Sequence, residues 1–327
     1  MQDTEDSKRV TLVADIGGTN TRVAYARGGE VDTSTIRRFR NSRHRDLGDV
    51  LSRFLEAEPG PRPAAACVAV AGPVRDGRAS MTNLPWTLDE ATLAAATGAR
   101  DAVLVNDLEA QGHGLDVLAA GSVRHLFGPA PGTRPGDRLV IGIGTGFNTA
   151  TVVAGPDGPI VKAAEAGHAR LPVLDARGLS LASFVARTHG FPAIEDVLSG
   201  RGLENVAAWL GADAPTAAGI VAALDKGDAV AAEALRVFAR ILGSVAGDLA
   251  LCHLPFGGVY LVGGVARALG PHLVEAGMPR AFTDKGRFSD FMAAFGCHLV
   301  DDDYAALHGC AAILARRGGA RKQGTTA

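Results

Sequence analysis

The sequence predicts an α/β protein of two domains, and three observations carry that reading. At 327 residues the chain is longer than one ordinary hydrophobic core organises and long enough to bury two. Short apolar runs ending at turn residues alternate with stretches of helical period, as in strands layered with helices. A strand, a glycine turn and a second strand occur in that order twice, around Asp15-Ile16-Gly17-Gly18-Thr19-Asn20 and around Gly142-Ile143-Gly144-Thr145-Gly146, which hints at duplicated halves.

Taken in order, Arg9 to Ala14 is a strand, Gly17-Gly18-Thr19-Asn20 its turn, and Arg22 to Ala26 the returning strand. No helical pattern follows Gly17-Gly18, so the dinucleotide fingerprint, whose glycine turn opens a helix, is disfavoured. Leu47, Val50, Leu51, Phe54 and Leu55 mark an amphipathic helix over residues 47–56. Ala64 to Ala71 is a buried strand. A polar excursion closes at Asn83-Leu84-Pro85-Trp86, and a helix follows over 89–96, capped by Thr87 or Asp89. The run Asp101-Ala102-Val103-Leu104-Val105 ends at Asn106-Asp107. A glycine-interrupted helix over 109–119 then leads to a Gly/Pro-rich loop over 127–137, and the crossing between domains is placed near residues 108–112.

Strands are expected over 138–143 and 149–154, flanking Gly144-Thr145-Gly146. A long helical region covers 217–224 and 229–252, its buried face read from Val230, Leu235, Phe238, Ile241, Leu242, Val245 and Leu249. Gly258 to Val262 is a strand whose terminal turn, Gly263-Gly264, enters another helix. Tyr304 to Arg316 closes the fold, and 318–327 reads as a tail.

Composition narrows the function. With 33 basic and 35 acidic residues the net charge is −2, so no overall field recruits nucleic acid or an anionic membrane. No apolar run approaches the roughly 20 residues that cross a bilayer, and the polar, acidic start Met1-Gln2-Asp3-Thr4-Glu5-Asp6 does not resemble a secretory signal. Cys67, Cys252, Cys297 and Cys310 lie far apart in apolar segments without any CxxC spacing. They read as buried free thiols of a reducing, cytoplasmic compartment rather than as a zinc site.

The motifs point to phosphoryl transfer. Backbone N–H groups of a glycine turn converge on an anion and a following Thr hydroxyl adds a donor, a requirement that Gly17, Gly18 and Thr19 meet. Asp15, at the preceding strand end, suits a hydrated magnesium ion held through water. Asp107 at another strand end suits a base that takes a proton from an attacking sugar hydroxyl, with Asn106 beside it as orienter. Glu165-Ala166-Gly167-His168 sets an acid and an imidazole on one short turn; without a third ligand at metal spacing, polyol binding is favoured over zinc. Glu195 alone would read as a solvated carboxylate at a helix start, and the remaining histidines as surface or packing residues.

Read together, the Leu12 to Asn20 segment, Asn106-Asp107, Gly144-Thr145-Gly146, Glu165-Ala166-Gly167-His168, Glu195-Asp196-Val197-Leu198-Ser199-Gly200, Gly258 to Ala266 and Lys285-Gly286-Arg287-Phe288 resemble the bacterial glucokinase family, of the proteobacterial type in the actin, hexokinase and sugar kinase superfamily. The resemblance covers about residues 9–314. It implies an α/β, two-domain actin-like ATPase (ribonuclease H-like) fold with an interdomain cleft, a small domain of residues 1–109 plus 304–327 and a large domain of 110–303. It further implies glucose and ATP as substrates, Mg2+ as cofactor and phosphorylation of the glucose 6-hydroxyl. Asp107 is then the base, and Asn106, Glu165, His168 and Glu195 bind the other hydroxyls. Gly17, Gly18, Thr19, Asn20, Gly144, Thr145 and Gly146 surround phosphates, and Gly263 with Gly264 meets adenosine. Family members are often dimers, so a homodimer is admitted.

One departure stands out. The family often continues Leu-Gly after the second glycine turn, whereas Phe147-Asn148 follows here, which leaves the range of sugars open. Two other readings are carried: a kinase for another hexose or an amino sugar, and a non-catalytic sugar sensor. The sensor predicts a lost base or a broken turn, yet Asp15, Asp107 and both turns are intact. The related branch with a cysteine-rich zinc motif is disfavoured because residues 168–195 contain no cysteine.

Overall fold

The computed structural model describes residues 9–81, 84–119 and 121–323. The acidic leader, Asn83 and residues 324–327 of the expected tail lie outside the described residues. The chain forms two compact units: Met1–Ala119 with Gly155–Val161 and Tyr304–Ala327, and Ala120–Ala154 with Lys162–Asp303.

In the first unit a six-stranded sheet runs β3-β2-β1-β5-β9, with β4 also on β2. Its strands are β1 (Val10–Ile16), β2 (Asn20–Arg27), β3 (Glu30–Val31), β4 (Arg37–Arg40), β5 (Ala65–Val70) and, after the small sheet β6 (Val74–Arg75), β7 (Arg78–Ser80) and β8 (Thr87–Asp89), β9 (Asp101–Asn106). β1 pairs antiparallel with β2 and parallel with β5, which pairs parallel with β9. Because both faces are covered, these strands read as continuous apolar runs whose alternate residues serve different cores. Leu12, Ala14, Ile16, Val68 and Val70 pack with Phe54 of α1 (Leu47–Ala57) and Leu93 of α2 (Glu90–Thr97). Val13, Cys67, Ala69, Val103 and Val105 face Ala110 of α3 (Asp107–Gly114) and Leu307, Cys310 and Leu314 of the C-terminal helix (Ala305–Gln323). Each fully buried Leu, Ile, Val or Phe side chain contributes about 1.5–3 kcal/mol, so loss of either helical layer would expose several such increments.

The first segment of this unit extends past the expected boundary after residue 109 because α3 packs on the C-terminal helix through glycines. A Cβ at Gly114 would lie 2.7 Å from the Ala305 carbonyl oxygen, and one at Gly309 would overlap the Ala110 carbonyl. α3 itself stops at Gly114 and gives way to a 3-10 turn over Leu115–Val117, short of the expected residue 119. The C-terminal helix continues to Gln323, through the segment expected as tail.

The second unit repeats the plan. Its six-stranded sheet runs β10-β15-β14-β11-β12-β13, from β10 (Val123–Phe127), β11 (Arg138–Ile143), β12 (Phe147–Val153), β13 (Ile160–Ala164), β14 (Val259–Val262) and β15 (Cys297–Val300). β11 pairs antiparallel with β12 and parallel with β14, which pairs parallel with β15. The order β12-β11-β14-β15 therefore matches β2-β1-β5-β9 in sequence and direction, in line with the duplicated turns. Around this sheet lie α4 (Ala176–His189), α5 (Gly200–Trp209), α6 (Ala217–Leu224), α7 (Ala229–His253), α8 (Gly264–Leu273) and α9 (Met278–Thr283). On α7, Val230 is exposed, unlike its expected face, and Gly243 and Gly247 are buried instead, where Cβ atoms would strike the backbone of α9. All four thiols are free; Cys67, Cys297 and Cys310 are buried as expected, but Cys252 is exposed near the end of α7.

Two histidines make each unit sensitive to acid. Burial, aided by the Arg316 guanidinium 2.8 Å away and opposed by Asp116, pushes His113 down to about 4. Burial, aided by His125 at 3.4 Å, pushes His298 down to about 4 as well. Both folded values lie below the unfolded value of about 6.5, so the unfolded chain binds more protons between these limits. Stability is then fully present above about pH 6.5 and is lost as pH falls toward 4. Melting temperatures should fall between pH 7 and pH 5, and His113→Gln should reduce that slope; an unchanged slope in the variant would remove His113 from the account.

Candidate active site

In the first unit the parallel register aligns Ile16 with Val70 and Val70 with Asn106, so β1, β5 and β9 end level. The glycine turn leaves from β1 and Asp107 from β9, two strand spacings or about 10 Å apart. Gly17 N–H donates to the Asn20 carbonyl at 3.0 Å and closes the turn. Asn41 braces it: its backbone N–H donates to the Thr19 carbonyl at 2.9 Å, its Nδ2 to the Gly17 carbonyl at 2.7 Å, and its Oδ1 accepts from the Thr21 hydroxyl at 2.8 Å. Asp15 Oδ2 accepts from Arg22 Nη1 at 3.2 Å, across one rung of the β1–β2 ladder.

Asn106 is buried and its amide is largely committed to the protein. Its Oδ1 accepts from Leu108 N–H at 2.9 Å and Glu109 N–H at 3.3 Å, capping α3, while Nδ2 donates to the Gly72 carbonyl at 3.0 Å. Two orphan N–H groups of the helix start are satisfied in this way. Asp107 is consequently held as the first residue of α3, half-buried, with Oδ1 accepting from its neighbour Leu108 N–H at 2.9 Å.

In the second unit the turn Gly144-Thr145-Gly146 closes by Gly144 N–H to the Gly146 carbonyl at 2.9 Å, and Gly200 N–H at the start of α5 donates to the Gly144 carbonyl at 2.9 Å. Neither turn places its glycines at positive φ. A Cβ at Gly144 would meet nothing within 4 Å, so the fold itself does not require glycine there, and the missing side chain leaves room for a ligand to approach the backbone. Gly263 differs: at φ 102° it turns β14 into α8, and a Cβ would overlap the Ile143 carbonyl beside the turn.

The same unit gathers the three remaining residues. His168 lies 4.0 Å from Glu165 through Nε2 and 4.0 Å from Glu195 through Nδ1. Glu195 also faces Arg201 Nη2 at 3.5 Å, and its Oε2 would lie 2.8 Å from a Cβ at Gly146. Asn148 donates from Nδ2 to Glu165 Oε2 at 2.5 Å and accepts from Gly167 N–H at 3.3 Å. Two exposed to half-buried carboxylates and an imidazole around one opening can fork hydrogen bonds onto adjacent hydroxyls. No group of three or more His, Cys, Asp or Glu side chains suited to a metal ion occurs among the described residues.

A family model described as Glucokinase matches residues 12–317. The chain belongs to the glucokinase family. It is 34% identical over 320 residues to a glucokinase of Mesorhizobium japonicum, covering 95% of this chain and 94% of the relative, and 34% identical over 313 residues to one of Caulobacter sp. strain K31, covering 93% and 94%. The crystal structure of a glucokinase from an Antarctic psychrotroph superposes with a TM-score of 0.79 at 28% identity, covering 93% of this chain and 98% of that one. The fold is that of the sugar kinases, and the family's activity is ATP-dependent phosphorylation of glucose.

Three residues of this family member escape a motif reading. Asn41 follows an arginine-rich strand and looks like any turn residue; only tertiary structure brings it under the first turn. Arg22 occupies an ordinary alternating strand position. Asn148 marks the departure from Leu-Gly, and the structure gives it a definite task in bracing Glu165 and Gly167.

Proposed function

We propose that the chain transfers the γ-phosphoryl group of ATP to the 6-hydroxyl of glucose. The observation that carries this reading is Asp107, fixed by the α3 cap at a strand end level with the first glycine turn. Its carboxylate takes the proton of the 6-hydroxyl as that oxygen bonds to the γ-phosphorus and the bond to the bridging oxygen of ADP breaks. Asn106 sets the carboxylate's position through the cap and keeps one amide hydrogen for the sugar. Glu165, His168 and Glu195 hold the other hydroxyls.

Backbone N–H groups of Gly17, Gly18, Thr19, Asn20, Gly144, Thr145 and Gly146 stabilise phosphate charge, and Gly263 with Gly264 lets adenosine approach the backbone. Asp15 suits magnesium held through water, since that ion keeps several waters and takes only one or two carboxylates; bound there, it would neutralise charge on the donor phosphates. The four free thiols favour a reducing, cytoplasmic setting.

The direct test is product formation from a panel of hexoses and amino sugars with ATP under matched conditions. Glucose should give the highest kcat/KM, with glucose 6-phosphate as product; a tenfold preference for another sugar would reassign the substrate. Asn148→Ala should raise the glucose KM by about tenfold, because Glu165 loses its brace, and should lower kcat less. An unchanged KM would separate Asn148 from sugar binding.

A further inference from the structure

Within the second unit, a recess of about 550 Å³, measured to its open mouth, lies between the 171–175 segment, α4, Trp209 at the end of α5, and α7. Its apolar lining comes from Leu171, Leu174, Leu181, Trp209, Val237 and Ile241. Three guanidiniums and two carboxylates line it as well. Glu233 accepts from both Arg177 at 2.5 Å and Arg236 at 2.7 Å, Asp175 accepts from Arg240 at 2.6 Å, and Arg177 also stacks 5.2 Å from the Trp209 ring centroid. One carboxylate thus serves two cations, and the lining keeps an excess of one positive charge.

A concave, mostly apolar wall with a few convergent polar groups is the usual form of a small-molecule site. We propose that this recess binds a small organic monoanion with an apolar or aromatic body, its charged head meeting Arg236, and that occupancy tightens the sugar half-site. The route is short and continuous. His168 is three residues from Leu171; Leu171 N–H donates to the Pro192 carbonyl at 2.9 Å, Ile194 N–H to the Ala169 carbonyl at 2.9 Å, and Arg170 bridges to Ala193, next but one to Glu195. A ligand that fixes residues 171–175 therefore orders the strand pair that presents His168 and Glu195. This coupling rests on the assignment of those residues to glucose; the binding itself does not.

The chain contains two tryptophans, Trp86 and Trp209, so Trp86→Phe leaves Trp209 as the reporter inside the recess. Titration with 4-phenylbutyrate should give a saturable change in its emission, with a midpoint of about 0.1–1 mM. The uncharged 4-phenylbutyramide and the variant Arg236→Gln should each weaken binding by about tenfold. Gly178→Leu should abolish it by filling the recess, since a Cβ there meets its neighbours only at ordinary contact distances of 3.6 Å and beyond. At saturation the glucose KM should fall two- to fivefold, in the range of modest coupling energies, at unchanged kcat.

Should Trp86→Phe not fold, calorimetry on the unaltered chain gives the same midpoint. No saturable signal up to about 10 mM, or equal affinity for the amide, overturns the site; binding with an unchanged KM overturns the coupling. Phosphorylation of glucose without any added anion tests the proposed function separately.

Discussion

Asp107→Asn should lower kcat by about 10²–10⁴-fold, the usual contribution of a positioned general base, with little change in the glucose KM. The asparagine keeps an acceptor for Leu108 N–H, whose 2.9 Å bond to Asp107 Oδ1 belongs to the helix start. The fold should therefore survive, and steady-state kinetics with a thermal melt on the same preparation reads both properties. A variant that melts normally and turns over within tenfold of the parent would take the base assignment away from Asp107.

Gly309→Leu should be the most damaging single change outside the site. At an exposed helix position, replacing glycine improves helix propensity by up to about 1 kcal/mol, so the sign of the effect discriminates between accounts. At Gly309 the side chain would enter the Ala110 backbone and come within 3.1 Å of Gly114 N, and the two helices must separate. Overpacking of this kind costs about 3 kcal/mol. Because α3 carries Asp107 at its first position, activity should fall with stability, measured by denaturant unfolding and turnover together. Unchanged stability would show that the helices part at no cost.

The parts of the fold legible in the sequence are those set by local chemistry. Both turns follow strands of period two, α1 shows its buried face at Leu47, Val50, Leu51 and Phe54, and Asp89 caps α2 as one of the two expected residues. The missed features depend on contacts distant in sequence. Glycines in a helix read as interruptions, yet Gly114 and Gly309 are where two helices touch backbone to backbone. β10, with arginine and histidine among its residues, forms because β15 offers it a partner. Of the candidate site, residue identities were legible from motifs. The supports were not: Asn41 reaches Gly17 across 24 positions, and Asn148 reaches Glu165 across 17.

The matched sheet order has a consequence for how labour is divided between the copies. β9 ends in Asn106-Asp107, and its topological counterpart β15 ends in Val300-Asp301. An acid thus stands at the corresponding place in each half, but Asp301 is ion-paired with Arg124 at 2.9 Å. The chain is a paralogous pair fused end to end in which one copy supplies the proton acceptor while its twin carries a neutralised relic of the same device.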